Sequence, residues 1–163
     1  MILNVSGRTD IVAFYTKWFI NRYKEGYVDV RNPFYPKNIS RIFFQDVDAI
    51  LFCTKNPIPI IKYLKEIDKP IIFHITITPY KQDIEPNVPS KKNIIEAIKQ
   101  LSTIIGINNL NIRYDLIFIS DKYNLEYHKR AFNKLCTMLD GYVNQIIVSF
   151  LDEYKNVKQN KIF

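Results

Sequence analysis

One event, repeated five times along this chain, constrains its fold more than anything else. An apolar run breaks off at reactive polar residues. Ala49-Ile50-Leu51-Phe52 stops at Thr54-Lys55-Asn56, and Pro57 then opens a helix. The same event recurs at Ser6-Gly7-Arg8-Thr9-Asp10, Thr76-Ile77-Thr78-Pro79-Tyr80, Arg113-Tyr114-Asp115 and Ser149-Phe150-Leu151-Asp152. Strands that alternate with helices imply a parallel sheet with right-handed crossovers. Sites in such sheets lie beyond the carboxyl ends of the strands. The expectation is therefore a pocket on one rim, built from all five polar clusters. A plainer reading stands beside it, because Asp10, Asn56 and Ser90 also suit helix caps.

Taken in order, residues 2–6 read as a buried first strand, and Asp10 or Thr9 caps a helix over Ile11–Glu25. Its face Ile11, Phe14, Tyr15, Trp18, Phe19, Arg22 keeps the helical period, and Gly26 ends it. Tyr27–Val30 and Asn38–Ile42 suit an antiparallel ribbon around the turn-rich Arg31–Pro36 loop. The main strands that follow are Asp48–Cys53, Ile71–Ile77 (apolar on both faces), Leu110–Ile117 and Gln145–Phe150. Helices are predicted over Pro57–Ile67 with Asn56 as cap, from Ser90 to Gly106, and over Asn124–Leu139. The third predicted helix carries the apolar stripe Ile94, Ile95, Ile98, Leu101, Ile105, and the fourth Leu125, His128, Phe132, Leu135, Leu139. The loop Thr78–Pro89 carries Pro79, Pro86 and Pro89, and loops this long commonly serve as lids or binding loops.

The length of 163 residues suits a single α/β domain over 1–152, followed by a basic tail over 153–163. No apolar run approaches the roughly 20 residues that span a bilayer. The N-terminus lacks the basic stretch of a signal peptide, so the expected location is cytoplasmic and no membrane partner is expected. Cys53 and Cys136 form no disulfide framework or metal motif, and buried thiols are expected. The net charge of +7 suits a phosphate-bearing partner: an anionic small molecule, or nucleic acid. There is no Gly-rich phosphate loop, nucleophile elbow or zinc-site spacing.

The candidate site follows from the strand ends. Arg8, Lys55 and Arg113 are cations from three strands, which converge only if carboxylates or an anionic ligand balance them. Asp10, Asp115 and Asp152 are the available carboxylates. Arg113 and Asp115 are two apart and so share one side of a strand; they suit a structural ion pair as well as a bidentate anion clamp. Lys55 suits an anion anchor, or a base once burial lowers its pKa. Lys55, Asp115 and Asp152 are thus the catalytic candidates. Arg8, Asp10, Arg31, Asn32, Thr54, Asn56, Tyr80, Glu85 and Arg113 are the substrate-binding candidates. His74 and His128 read as hydrogen-bonded structural histidines.

Several of these stretches resemble a known family. Val5-Ser6-Gly7-Arg8-Thr9-Asp10-Ile11, Val30-Arg31-Asn32-Pro33, Thr54-Lys55-Asn56-Pro57, Thr78-Pro79-Tyr80, Asp83–Pro89, Arg113-Tyr114-Asp115 and Ser149-Phe150-Leu151-Asp152 resemble domain-of-unknown-function family 1848, over residues 1 to about 156. The resemblance implies a radical-SAM-like enzyme with a (β/α) barrel-like fold. In full-length members it also implies a C-terminal cysteine cluster for a [4Fe–4S] centre and S-adenosylmethionine. This chain has no such cysteine cluster, and it carries Gly7, Val12, Cys53 and Leu116 where the family usually has Arg, Pro, Trp and Pro. The resemblance therefore implies the substrate-side portion of such an enzyme, truncated and without a cofactor or activity of its own.

A complete barrel of eight strand–helix units takes about 200–250 residues. The expected architecture is accordingly an incomplete barrel-like parallel sheet of five main strands plus a small ribbon. Its edges would be covered by a second copy or by a missing C-terminal half. An open, doubly wound flavodoxin-like sheet is the alternative architecture, and a non-catalytic binding module or a remnant is the alternative function.

Overall fold

The structure is a computed structural model, and residues 1–151 are described. The fold is α/β. Its strands are β1 (Ile2–Asn4), β2 (Tyr27–Arg31), β3 (Ile39–Phe43), β4 (Ala49–Thr54), β5 (Ile71–Thr76), β6 (Leu110–Ile117) and β7 (Gln145–Phe150). Its α-helices are α1 (Ile11–Glu25), α2 (Lys91–Ile105) and α3 (Leu125–Leu139). A parallel sheet runs β1, β4, β5, β6, β7, and β2 pairs with β3 in a separate antiparallel ribbon. This order never reverses. A doubly wound sheet needs a reversal at its switch point, so the flavodoxin-like alternative does not describe these strands. Packing divides the chain into two compact units, Met1–His74 and a second beginning at Ile75. Among the described residues no helix is long and apolar enough to cross a membrane.

The first unit is built on aromatic packing. Along β4 the side chains alternate, so Ile50, Phe52 and Thr54 are buried on one face. Phe52 stacks on Phe73 at 5.1 Å between ring centroids and meets the edge of Phe19 at 5.2 Å. α1 starts where Asp10 accepts a hydrogen bond from the Ala13 amide, and it ends at Gly26. The φ of +83° at Gly26 is the left-handed conformation that closes a helix at least cost with no Cβ.

Three expectations need correction here. α1 buries Val12, Thr16, Phe19 and Ile20, while Phe14, Tyr15 and Trp18 on the predicted face are exposed. Tyr15 departs from helical geometry (φ −131°, ψ 21°), so α1 is kinked there and its faces drift from the ideal period. The first strand is short and largely exposed rather than buried, with Ile2 67% accessible. The helix predicted at Pro57–Ile67 is a run of 3-10 turns over Ile58–Glu66. Pro57 and Pro59 fall in its first turn, where a missing amide costs little, and nothing in the structure explains the tighter winding. Asn56 still accepts a hydrogen bond from the Ile58 amide at 3.3 Å.

In the second unit, Ser90 caps α2 by accepting from the Asn93 amide, and Asn124 caps α3 by accepting from the Tyr127 amide. The α2 stripe is buried at Ile94, Ile95, Ile98 and Leu101 as its spacing predicts. On α3, His128, Leu135 and Leu139 are buried, but Leu125 is exposed because it opens the helix, one residue after the cap. β6 and β7 pair in parallel from Asn111↔Gln145 to Tyr114↔Val148, and the register shifts before Ile117↔Phe150. β5 buries Ile71, Phe73 and Ile75 and only half-buries Ile72, His74 and Thr76, so its two faces are unequal. Cys53 and Cys136 are both half-buried rather than buried.

Candidate functional site

In the first unit, the loop after β1 is shaped by its own polar side chains. The Ser6 amide donates to Asn4 Oδ1 at 3.1 Å, and Ser6 Oγ accepts from the Cys53 amide at 3.3 Å. Asp10 then divides its two oxygens between two tasks. Oδ1 accepts from the Ala13 amide at 2.8 Å and caps α1. Oδ2 accepts from Thr54 Oγ1 at 2.8 Å and from the Lys55 amide at 2.9 Å. Thr54 Oγ1 in turn accepts from the Asn56 amide at 2.9 Å. One carboxylate thus ties the start of α1 to the end of β4. It brings Asp10, Thr54, Lys55 and Asn56 together and fixes the backbone on which the loop cations stand.

Arg8 Nη1 donates to the backbone carbonyl of Arg31 at 2.5 Å, which joins the β1 loop to the ribbon. Asn32 Oδ1 accepts from the Phe34 and Tyr35 amides at 2.9 and 3.3 Å, so this side chain shapes the ribbon turn. Between β1, α1 and the ribbon lies a cleft of about 370 Å³. Its walls are largely apolar, with Val5, Trp18, Phe19 and Phe44, and its charged members are Arg8, Arg22, Arg31 and Asp29. Asp29 is claimed by Arg41, whose Nε and Nη2 donate to its two oxygens at 2.7 and 2.8 Å. That hydrogen bonding holds the Asp29 carboxyl below the usual carboxylate range. The cleft is left with three arginines and one already-engaged carboxylate. Volume and lining match those of small-molecule sites, which are mostly apolar with a few polar groups that orient the ligand.

Arg8 and Arg31 both line this cleft, as do Trp18 and Arg22, which sequence reasoning missed as cleft residues. The signal was present, since both lie on the α1 face picked out by the helical period, but that face reads as core until the ribbon is placed. Gly7 also lines the cleft, and a Cβ built there would meet nothing within 4 Å.

In the second unit, Arg113 and Asp115 meet on one side of β6. Arg113 Nε and Nη2 both donate to Asp115 Oδ2, at 2.9 and 2.5 Å. Glu85 is buried and accepts from Lys91 Nζ at 2.5 Å. Tyr80 is buried in an aromatic cluster; its hydroxyl donates to the Leu116 carbonyl at 2.8 Å and accepts from the Phe118 amide at 2.9 Å. Burial pushes the Tyr80 hydroxyl pKa up. The Thr78–Pro89 loop is fastened by Asp83, which accepts from Lys122 Nζ at 2.7 Å and from the Tyr123 hydroxyl at 2.6 Å. Asp152 and the tail over 153–163 lie outside the described residues.

His128 sits between Tyr114 and the Phe118 carbonyl, with Nδ1 3.0 Å from the Tyr114 hydroxyl and Nε2 3.1 Å from the carbonyl oxygen. A carbonyl can only accept, so the proton is on Nε2, and Nδ1 accepts from Tyr114. Burial holds the His128 pKa below its ordinary value. The unfolded chain therefore binds a proton at this residue before the folded one does. Stability contributed here is complete above the unfolded pKa of about 6.5 and declines as pH falls below it. Thermal melts between pH 7.5 and 5 should show a falling Tm, and His128→Phe should flatten that slope. A wild-type Tm independent of pH over this range would contradict the assignment.

The family resemblance implies an iron–sulfur cluster with S-adenosylmethionine, and the residues here do not fit one. A [4Fe–4S] cluster takes three or four thiolates, whereas the chain has Cys53 in one unit and Cys136 in the other. Among the described residues no group of three or more His, Cys, Asp or Glu side chains is placed to hold a metal ion.

Among known families, the sequence model described as Domain of unknown function (DUF1848) matches residues 2–162. The chain matches no curated protein and no solved structure.

Proposed function

The chain belongs to the domain-of-unknown-function family DUF1848, and on that footing we propose that its first unit binds an anionic small molecule as the substrate-side part of a radical-SAM-like enzyme. The observation that carries the binding is the cleft itself, with Arg8, Arg22 and Arg31 set among apolar and aromatic walls. Arginine is suited to carboxylate and phosphate, because its planar fork donates two parallel hydrogen bonds. The wall formed by Trp18 and Phe19 suits a flat apolar body. The substrate class is therefore a carboxylate or phosphate attached to a planar ring. Arg8 is braced against the Arg31 carbonyl and is thereby positioned before a ligand arrives, which lowers the cost of ordering it. The cluster that the resemblance implies finds no ligand set in these residues, so no redox step is assigned to them. Their role is binding and orientation.

The test is calorimetric titration of the whole chain with phenyl phosphate. Arg8→Gln and Arg31→Gln should each weaken binding about tenfold or more, as the loss of a charge-assisted hydrogen bond does. Lys24→Gln removes a cation that pairs with Glu66 outside the cleft, and it should leave affinity unchanged. Equal losses in all three variants would show a diffuse charge effect and remove the site. Gly7→Arg restores the residue usual in the family into open space and should tighten binding.

A further inference from the structure

The second unit has a cleft of its own, which the reading above does not use. It encloses about 330 Å³ between the Ile77–Pro79 segment, the first turn of α2 and one face of α3. Three lysines line it, Lys91, Lys92 and Lys134, and no carboxylate residue does. Glu85 takes up part of the Lys91 charge through the ion pair described above, leaving the cleft cationic. The first turn of α2 adds the positive end of a fifteen-residue helix; Ser90 takes up the Asn93 amide, and the Lys91 and Lys92 amides have no intrahelical acceptor.

An independent observation points to a missing partner. Thr78 lines the same cleft and is only 4% exposed, and its Oγ1 is buried with no hydrogen-bond partner among the described residues. Buried hydroxyls in native proteins are nearly always satisfied, so an orphan in a wall shared with three lysines calls for an acceptor. The rest of the wall is apolar, from Ile77, Ile95, Leu135 and Met138. Tyr127 also lines it, and its hydroxyl donates to the Pro79 carbonyl at 2.8 Å, tying α3 to the Ile77–Pro79 segment.

We infer that this cleft is a second ligand site, for a phosphomonoester with an apolar body. Its phosphate oxygens accept from Thr78 Oγ1, from the lysine side chains and from the Lys91 and Lys92 amides, and its apolar part lies along the isoleucine wall. Helix N-termini and lysine point charges both favour phosphate. The site lies within the second unit alone and does not depend on the arginine cleft of the first.

The experiment is a ¹H–¹⁵N NMR titration of the full chain with hexyl phosphate, with hexanol and inorganic phosphate run alongside. Hexyl phosphate should shift the amides of Thr78, Lys91, Lys92 and Asn93 saturably, inorganic phosphate should do so at least several-fold more weakly, and hexanol should have no effect. The double variant Lys92→Gln/Lys134→Gln should weaken hexyl phosphate binding at least tenfold. Thr78→Val keeps the shape and removes the orphan, so it should raise the Tm of the unliganded chain while weakening binding. Unsaturable shifts, shifts spread over lysines elsewhere, or unchanged affinity in the double variant would overturn the site. Equal affinity for inorganic phosphate would overturn the apolar half of the assignment.

Discussion

Asp10→Ala should be among the most damaging single substitutions in the first unit, lowering its stability by about 3–5 kcal/mol. A lost N-cap costs about 1 kcal/mol, and each buried donor left without its acceptor costs about 1–3 kcal/mol. The substitution removes the cap on Ala13, leaves the Thr54 hydroxyl, which is 4% exposed, without its acceptor, and takes one acceptor from the half-buried Lys55 amide. A domain with about 5–15 kcal/mol in total can scarcely absorb that loss. Asp10→Asn keeps one carbonyl oxygen and can satisfy the helix or the strand end but not both, so it should cost about half as much. Urea unfolding reports on this directly, because the chain's single tryptophan, Trp18, lies in the same unit. A double variant with Thr54→Val should lose less than the sum of the single variants, since the two share one hydrogen bond. An Asp10→Ala midpoint indistinguishable from wild type would show that the carboxylate organises nothing.

Tyr80→Phe should be the corresponding lesion in the second unit, at about 2–3 kcal/mol for the loss of one oxygen atom. The ring stacked on Phe118 at 4.5 Å stays, while the Leu116 carbonyl and the Phe118 amide lose the hydroxyl between them. A fall in Tm without any change in phenyl phosphate affinity is expected, and it separates a structural tyrosine from a ligand-binding one. An unchanged Tm with altered affinity would reverse that conclusion.

These two residues also show which features are legible in the sequence and which depend on the fold. Asp10 and Ser90 as caps, the ribbon around Arg31–Pro36, and β6 with its Arg113–Asp115 pair all follow from short-range rules of period, capping and turn chemistry. Such rules act within a few residues and survive without tertiary context. The second task of Asp10 does not, because its partners at Thr54 and Lys55 are 44 and 45 residues away. Tyr80 is another such case. Its place in a loop suggests a lid, but its hydroxyl closes contacts 36 and 38 residues on, inside the second unit. The Trp18 face of α1 failed for a different reason. Periodicity reports that aromatic residues share a side of a helix but not what covers them, and here part of that cover is an open cleft.

Trp18 makes the central claim measurable without any engineered probe. It is the only tryptophan in the sequence, it is 47% exposed, and it lines the arginine cleft of the first unit. Titrating the whole chain with phenyl phosphate while following Trp18 emission should give a saturable change that weakens as salt is added, and benzyl alcohol at the same concentrations should give none. A linear trace without saturation, or the same response to benzyl alcohol, would mean that the three arginines do not form an anion site.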